Sequence, residues 1–281
     1  MTAAKQHQYI LGHSDHELER LAFQSEIIEP ITKGLLDRAG VREGMTVLDI
    51  GCGPGDVSML AAWMVGPSGS VIGVDRSADA LEIARKRASE RGLLNVRFEQ
   101  GDVASLVHPQ AVDVVIGRYI LVHMPDPGAL LRAASSWLKP GGRLAFHEID
   151  LVGDMYSRPP VPAWDELAGW IIGAFCKALP NADAPLRLTE HFVRAGLPVP
   201  ELFCEIPLGN GNRSPIYRWM VDTALTLKSR GSGERSQIPA NLHVGLADVI
   251  RDEVTASLGQ VAGPAQICAW VQVDSPWEPR R

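Results

Sequence analysis

The sequence predicts an α/β fold, a mostly parallel sheet with helices on both faces, and two observations carry that expectation. Short apolar, β-branched runs recur at Thr46–Ile50, Val71–Asp75, Val96–Phe98, Val112–Ile116 and Arg143–Ile149, and their length and composition suit buried strands. Amphipathic stretches at 56–65, 77–91 and 127–138 lie between them, punctuated by Gly66-Pro67-Ser68-Gly69 and Pro140-Gly141-Gly142. Strand–helix units repeated at this spacing imply parallel strands joined by helical crossovers.

Ahead of the first strand, Ser14-Asp15-His16-Glu17 has the form of a capping box, and Leu18, Leu21, Ile28, Leu35 and Leu36 follow near helical spacing. Pro30 falls inside this pattern, so two helices or a kink are expected, with Pro30 near the first turn of the second. After residue 150 a Trp-rich helix is expected at 164–179 and a short one at 189–195, stopped by Gly196. Leu202–Ile206 and Gln266–Val273 read as closing strands. Residues 215–258 read as two helices separated by the flexible run Ser229–Glu234. The expected organisation is an N-terminal helical cover (1–39), a core (40–212), a helical lid insertion (213–260), and a closing strand and tail (261–281).

Composition narrows the function classes. Of 281 residues, 46% are hydrophobic and 21% charged, ordinary for a folded domain and unlike a disordered chain or coiled coil. The formal charge of -6, without a long basic run, argues against a nucleic-acid partner. No uncharged apolar stretch of about 18 residues suggests a membrane span, and the first residues lack a secretory h-region, so a cytoplasmic location is expected. Cys52, Cys176, Cys204 and Cys268 lie far apart without CxxC or zinc-type spacing, which favours structural thiols.

The chemistry concentrates in Val47-Leu48-Asp49-Ile50-Gly51-Cys52-Gly53-Pro54-Gly55-Asp56, a strand entering a glycine-rich turn and then a helix. Such a turn lets a ligand approach backbone N–H groups closely. The dinucleotide fingerprint requires a third glycine where Asp56 stands, and Asp56 would set a negative charge towards a pyrophosphate. Asp75 ends the second strand about 20 residues further on, where an acid accepts both ribose hydroxyls of an adenosine cofactor; its other reading is a helix N-terminal acid near Ser77 and Asp79. Gly101-Asp102-Val103 and Gly117-Arg118-Tyr119 follow the third and fourth strands, at the sheet edge where open α/β folds bind ligands.

Taken together, Leu48–Gly55, Gly73-Val74-Asp75, Gly101-Asp102 and Leu138-Lys139-Pro140-Gly141-Gly142 resemble the class I S-adenosylmethionine-dependent methyltransferases, in particular their UbiE-like small-molecule group, over about residues 40–150. The resemblance implies a Rossmann-like, seven-stranded sheet whose last strand runs antiparallel. It implies that Gly51, Cys52 and Gly53 lie against the methionine part of S-adenosylmethionine and that Asp75 holds the ribose. It also implies that Arg76 flanks the adenine, Asp102 meets its amine, Val103 contacts the ring and Arg118 offers backbone near the methionyl group. Tyr9-Ile10-Leu11-Gly12-His13-Ser14 resembles the segment that folds over the cofactor in methyltransferases of natural-product pathways, which places Tyr9 among the cofactor contacts. The implied partner is a small organic acceptor, methylated at carbon or oxygen.

Methyl transfer from a sulfonium draws most of its catalysis from alignment and water exclusion, and a hydroxyl or acidic carbon also needs a base. His123, just past the fourth strand, and His147, beside Glu148 on the fifth, are the candidates, with a loop-fixing or structural role as the alternative for each. His13 is a more distant one. Trp164, Trp170, Phe175, Tyr217 and Trp219 either line an apolar acceptor site or pack a core. No Asp-Pro-Pro-Tyr or Asn-Pro-Pro-Tyr follows the fourth strand, and no acidic set suits a hard cation, so amino-group methylation of adenine or glutamine and metal dependence are not expected. A nicotinamide or flavin oxidoreductase, and the same fold serving cyclisation or plain binding, are the competing readings. Exposed apolar surface on the lid would suit a homodimer.

Overall fold

The computed structural model describes residues 15–103, 111–231, 238–239 and 241–275. In chain order the elements are α1 (Asp15–Arg38), β1 (Thr46–Ile50), α2 (Asp56–Val65), β2 (Ser70–Asp75), α3 (Ala78–Glu90), β3 (Val96–Gln100) and β4 (Val112–Arg118). A 3₁₀ turn (Leu121–His123), α4 (Pro127–Ser136), β5 (Leu138–Ile149), β6 (Ser157–Arg158) and α5 (Pro162–Ala178) follow. A second 3₁₀ turn (Ala184–Arg187), α6 (Leu188–Arg194), β7 (Glu201–Glu205), β8 (Leu208–Asn210), α7 (Ile216–Ser229), α8 (Leu246–Ala256), β9 (Gln260–Ala262) and β10 (Gln266–Val273) complete the chain.

Two compact units form. The larger draws on Ser25–Leu151, Leu179–Ile206 and Pro264–Arg281 and holds a seven-stranded sheet of order β3-β2-β1-β4-β5-β10-β7. β1 to β5 pair in parallel, and β10 runs antiparallel to both β5 and β7. Side chains alternate across the strands, so Leu48, Ile50 and Val115 pack with Leu130 and Leu131 of α4 and Phe192 of α6. Val47, Val114 and Ile116 pack on the other face with Leu35 and Leu36 of α1 and Ala61 and Val65 of α2. Burial on both faces explains why the strands read as nearly unbroken apolar runs.

Two sequence expectations are corrected here. α1 is one helix through Pro30 and not two; Pro30 cannot donate to the carbonyl of Glu26, but both residues are exposed, so the freed oxygen lies at the solvent face of the helix. Pro140-Gly141-Gly142, expected to precede a strand, lies within β5: the register jumps from the pair Val112–Leu138 to Val114–Arg143, and the extra residues form a bulge.

The second unit gathers residues from Met1–Gln24, Val152–Ala178 and Pro207–Gly263. It contains α5, α7 and α8 and a small antiparallel sheet of order β6-β9-β8. The sequence reading held no counterpart to this sheet, whose strands are two or three residues long. Trp164, Trp170, Phe175, Tyr217 and Trp219 are all buried. Arg20 is buried with them and donates to Gln24 Oε1 (2.8 Å) and Thr223 Oγ1 (3.2 Å), while Trp219 Nε1 also donates to Gln24 Oε1 (3.0 Å).

Candidate functional site

The larger sheet reverses its order between β1 and β4, and the crevice outside the carboxyl ends of such strands is where open α/β sheets take ligands. Strand register brings the expected residues to one rim. Ile50 pairs with both Val74 and Gly117, Asp75 with Gln100, and Arg118 with His147. Gly51–Gly53, Asp75-Arg76, Gly101–Val103 and Arg118-Tyr119 therefore leave neighbouring strands side by side.

The glycine turn is held from below. Gly51 N and Cys52 N donate to Val74 O at 2.8 and 3.0 Å. Gly51 has φ +70, and a Cβ there would stand 2.7 Å from Ile120 Cδ1, so this glycine is required by packing beneath the turn. Gly53 has φ +51, and a Cβ there would meet nothing within 4 Å. A ligand can rest directly on its backbone. Gly55 caps α2 without a side-chain acceptor, which leaves the helix's first N–H groups uncapped beside the turn. Cys52 is buried, and burial raises its thiol pKa well above the ordinary range, which keeps it an unreactive neutral group.

Of the two roles weighed for it from sequence, Asp75 displays the one at the start of α3 and adds a bond to the glycine turn. Its Oδ2 accepts from Gly53 N (2.9 Å) and its Oδ1 from Ser77 N (2.8 Å), so one carboxylate ties the turn to the start of α3. Each oxygen has a second lone pair for a hydroxyl. Arg76 is exposed next to it, with its carbonyl accepting from Gln100 Nε2 (3.0 Å). Asp102 is exposed and Val103 buried at the end of β3.

Asp56 does not present a bare charge. It is buried, bonded to Arg87 Nη2 at 2.6 Å and lies 3.8 Å from Arg118 Nη2. The expected clash with a pyrophosphate therefore loses force, because the carboxylate is neutralised within the fold. Asp49, under the same turn, accepts from Ser58 Oγ at 2.6 Å; burial pushes its pKa up to about 7, against the Ser58 bond and Arg118.

The two histidines differ. His123 closes the 3₁₀ turn after β4 and is partly exposed; burial, and then the Arg76 charge, lower its pKa to about 4. His147 is fully buried, with Nδ1 2.9 Å from Thr32 Oγ1 and Nε2 3.0 Å from Gln266 Oε1. Burial, then Arg118, lower its pKa to about 3. His147 reads from sequence as a base or as a structural residue, and both ring nitrogens face partners within the fold, which favours the structural alternative.

Three further residues escaped the sequence reading. Thr32 and Gln266 are the partners of His147, and the only sign of Gln266 was a polar residue opening an apolar strand. Glu148, noted merely as a neighbour of His147, is fully buried and its Oε1 accepts from Ile120 N (3.0 Å) and Leu121 N (2.9 Å), fixing the turn that carries His123. Tyr9 and His13 lie outside the described residues. Among the described residues there is no group of three His, Cys, Asp or Glu side chains placed to hold a metal ion, and no helix long and apolar enough to cross a membrane.

Comparison with known proteins agrees with this architecture. A family model described as a methyltransferase domain matches residues 41–180. The chain is 38% identical over 170 residues to aklanonic acid methyltransferase DauC of Streptomyces sp. strain C5, covering 59% of this chain and 74% of that protein. It is 36% identical over 160 residues to the ubiquinone biosynthesis O-methyltransferase of Serratia proteamaculans, covering 50% of this chain and 65% of that one, just short of two thirds of the relative's length. The crystal structure of a candidate methyltransferase from Bacillus halodurans shares the fold, with a TM-score of 0.57 at 17% identity over 87% of this chain and 99% of that one. With the sheet order, the open glycine turn and the acid ending β2, these matches establish that the chain belongs to the class I S-adenosylmethionine-dependent methyltransferases.

Proposed function

We propose that this protein binds S-adenosylmethionine along the β1–β4 rim and transfers its methyl group to an oxygen or carbon of a small organic molecule. The observation that carries the reading is the pairing of Asp75 with an open Gly53: the carboxylate lies within hydrogen-bond reach of backbone over which a ligand can settle. The residues present fit the cofactor. Gly53, Cys52 and Gly51 supply close backbone, Asp75 accepts from the ribose hydroxyls, Arg76 and Val103 flank the adenine, Asp102 accepts from its amine, and the Arg118 segment borders the methionine end. Tyr9 is proposed to cover it from the N-terminal segment.

When bound, the cofactor supplies an electrophilic methyl group on sulfur. The chain's task is then to align the acceptor behind that methyl and to exclude water. His123 stays neutral at neutral pH and so is able to accept a proton, but a pKa of about 4 makes it a weak base there. Alignment therefore carries the larger share, and an acceptor that is acidic in its own right suits the site best. One relative is named as an O-methyltransferase and another for an acid, which favours O- over C-methylation and an acidic acceptor.

The test is incubation with S-adenosylmethionine carrying a labelled methyl group and a panel of phenols and polycyclic carboxylic acids, read by mass spectrometry. Label in one acceptor with matching formation of S-adenosylhomocysteine supports the reading. An acceptor rearranged or cyclised while S-adenosylmethionine is left intact would replace methyl transfer by the cyclase reading.

A further inference from the structure

We infer that His147 is a positioning residue that acts through Gln266 on Tyr119, holding the exit of β4 in a conformation the chain would otherwise avoid. The inference rests on the cofactor reading above, because the exit of β4 borders the proposed methionine end.

Tyr119 has φ +56, in the left-handed region that disfavours a bulky side chain. Such a conformation persists only where the surroundings fix it, and it gathers at functional sites. Here two bonds fix it. Tyr119 N donates to His147 O at 2.8 Å, and the Tyr119 hydroxyl donates to Gln266 Oε1. The Tyr119 ring also meets the His147 ring edge to face, with centroids 5.4 Å apart.

The partners of this group favour one proton arrangement. Gln266 Nε2 donates to Pro264 O (2.9 Å), which fixes the amide so that Oε1 faces His147 and Tyr119. Oε1 only accepts, so His147 Nε2 carries hydrogen. A neutral ring then leaves Nδ1 as an acceptor, and the Thr32 hydroxyl, 2.9 Å away, donates to it in preference to Ile28 O at 3.3 Å. Arg118 Nη1 donates to Thr32 Oγ1 (3.4 Å) and Arg118 Nη2 to Ser25 Oγ (3.5 Å). The imidazole thus links α1, β10 and the residue after β4. An imidazolium would have no acceptor role at Nδ1, and Arg118 stands close by, so the ring remains neutral. The charged group acting on it is Arg118 from β4; Glu148, at the next position of the same strand, points to the other face, where its Oε1 accepts from Ile120 N and Leu121 N.

Calorimetry with S-adenosylhomocysteine tests the assignment through a double-mutant cycle. His147→Phe keeps the ring and removes both nitrogens; Gln266→Met keeps the length and removes the amide. Each is expected to weaken binding by about tenfold or more. In a Tyr119→Gly background, where glycine adopts positive φ unaided, the further effect of His147→Phe is expected to shrink to less than about threefold, a coupling that independent sites do not show. Equal losses from His147→Phe in both backgrounds, or no loss in either histidine or glutamine variant, would overturn the positioning role. No binding by the parent protein would instead overturn the cofactor reading, and this inference with it.

Discussion

At the β1–β2 end of the rim one carboxylate, Asp75, holds the backbone N–H groups of Gly53 and Ser77, whereas at the β4–β5 end neutral side chains, Thr32, His147, Gln266 and Tyr119, hold one another. The first brace is short in sequence and charged, and leaves a face open for a ligand. The second joins segments from α1 to β10, is buried, and leaves no group free for chemistry. The difference separates residues that are built to touch a ligand from residues that shape what touches it.

The glycines of the turn offer the sharpest way to break that comparison. Gly51→Ala forces a methyl against Ile120 at a positive φ and should cost about 3 kcal/mol of stability, combining overpacking with left-handed strain. Gly53→Ala meets no neighbour and should cost only about 1 kcal/mol from strain, yet lose most of its affinity for S-adenosylmethionine. Thermal unfolding and calorimetry on the two variants check the contrast; similar losses of stability would remove it. Asp75→Ala follows in size. It leaves two backbone N–H groups without their acceptor, worth about 1–2 kcal/mol, and weakens cofactor binding besides.

Acid–base behaviour provides a finer test. Burial, opposed by bonds from backbone N–H groups, pushes Glu148 up to about 8, from an ordinary 4.5. A carboxyl whose folded pKa is raised binds its proton more tightly in the folded state, so its stabilising contribution is complete below 4.5 and is lost as pH climbs through 8. Asp49, at about 7, acts in the same direction. His147 acts oppositely: lowered to about 3, it favours the fold above 6.5 and withdraws that support as pH falls towards 3. From pH 7 to 8 Glu148 and Asp49 both pull Tm down as pH rises. Glu148→Gln keeps an oxygen for the Ile120 and Leu121 N–H groups and should flatten that fall; an unchanged slope would mean Glu148 does not titrate in this window. The smallest effect concerns the ring itself: the side-chain ¹⁵N shifts of His147 should report the Nε2–H tautomer with no titration between pH 5 and 8, and a ring protonated within that range would contradict the proton arrangement.

How much of this was legible follows from the same contrast. The strand, turn and helix at 46–65 and the acid at 75 are set by neighbours in sequence, so period, glycine spacing and strand ends were enough to place them. Gln266 and Thr32 gain meaning only once β10 pairs with β5 and α1 packs on the sheet, contacts made across more than a hundred residues. A histidine built into a network, as His147 is, and one poised for catalysis look alike in sequence until the partners of both nitrogens are known. The small β6-β9-β8 sheet was missed for a related reason: strands of two or three residues show no period, and long-range pairing alone creates them. The same holds for Pro30, whose tolerance within α1 depends on which face of the helix meets water.

The most direct test of the central claim is equilibrium binding of S-adenosylmethionine, S-adenosylhomocysteine and NAD to the purified protein, with Asp75→Ala alongside. The account predicts saturable binding of the two sulfur compounds, weakened about tenfold or more in the variant, and no comparable binding of NAD. Binding of NAD, with neither S-adenosyl compound bound, would contradict it.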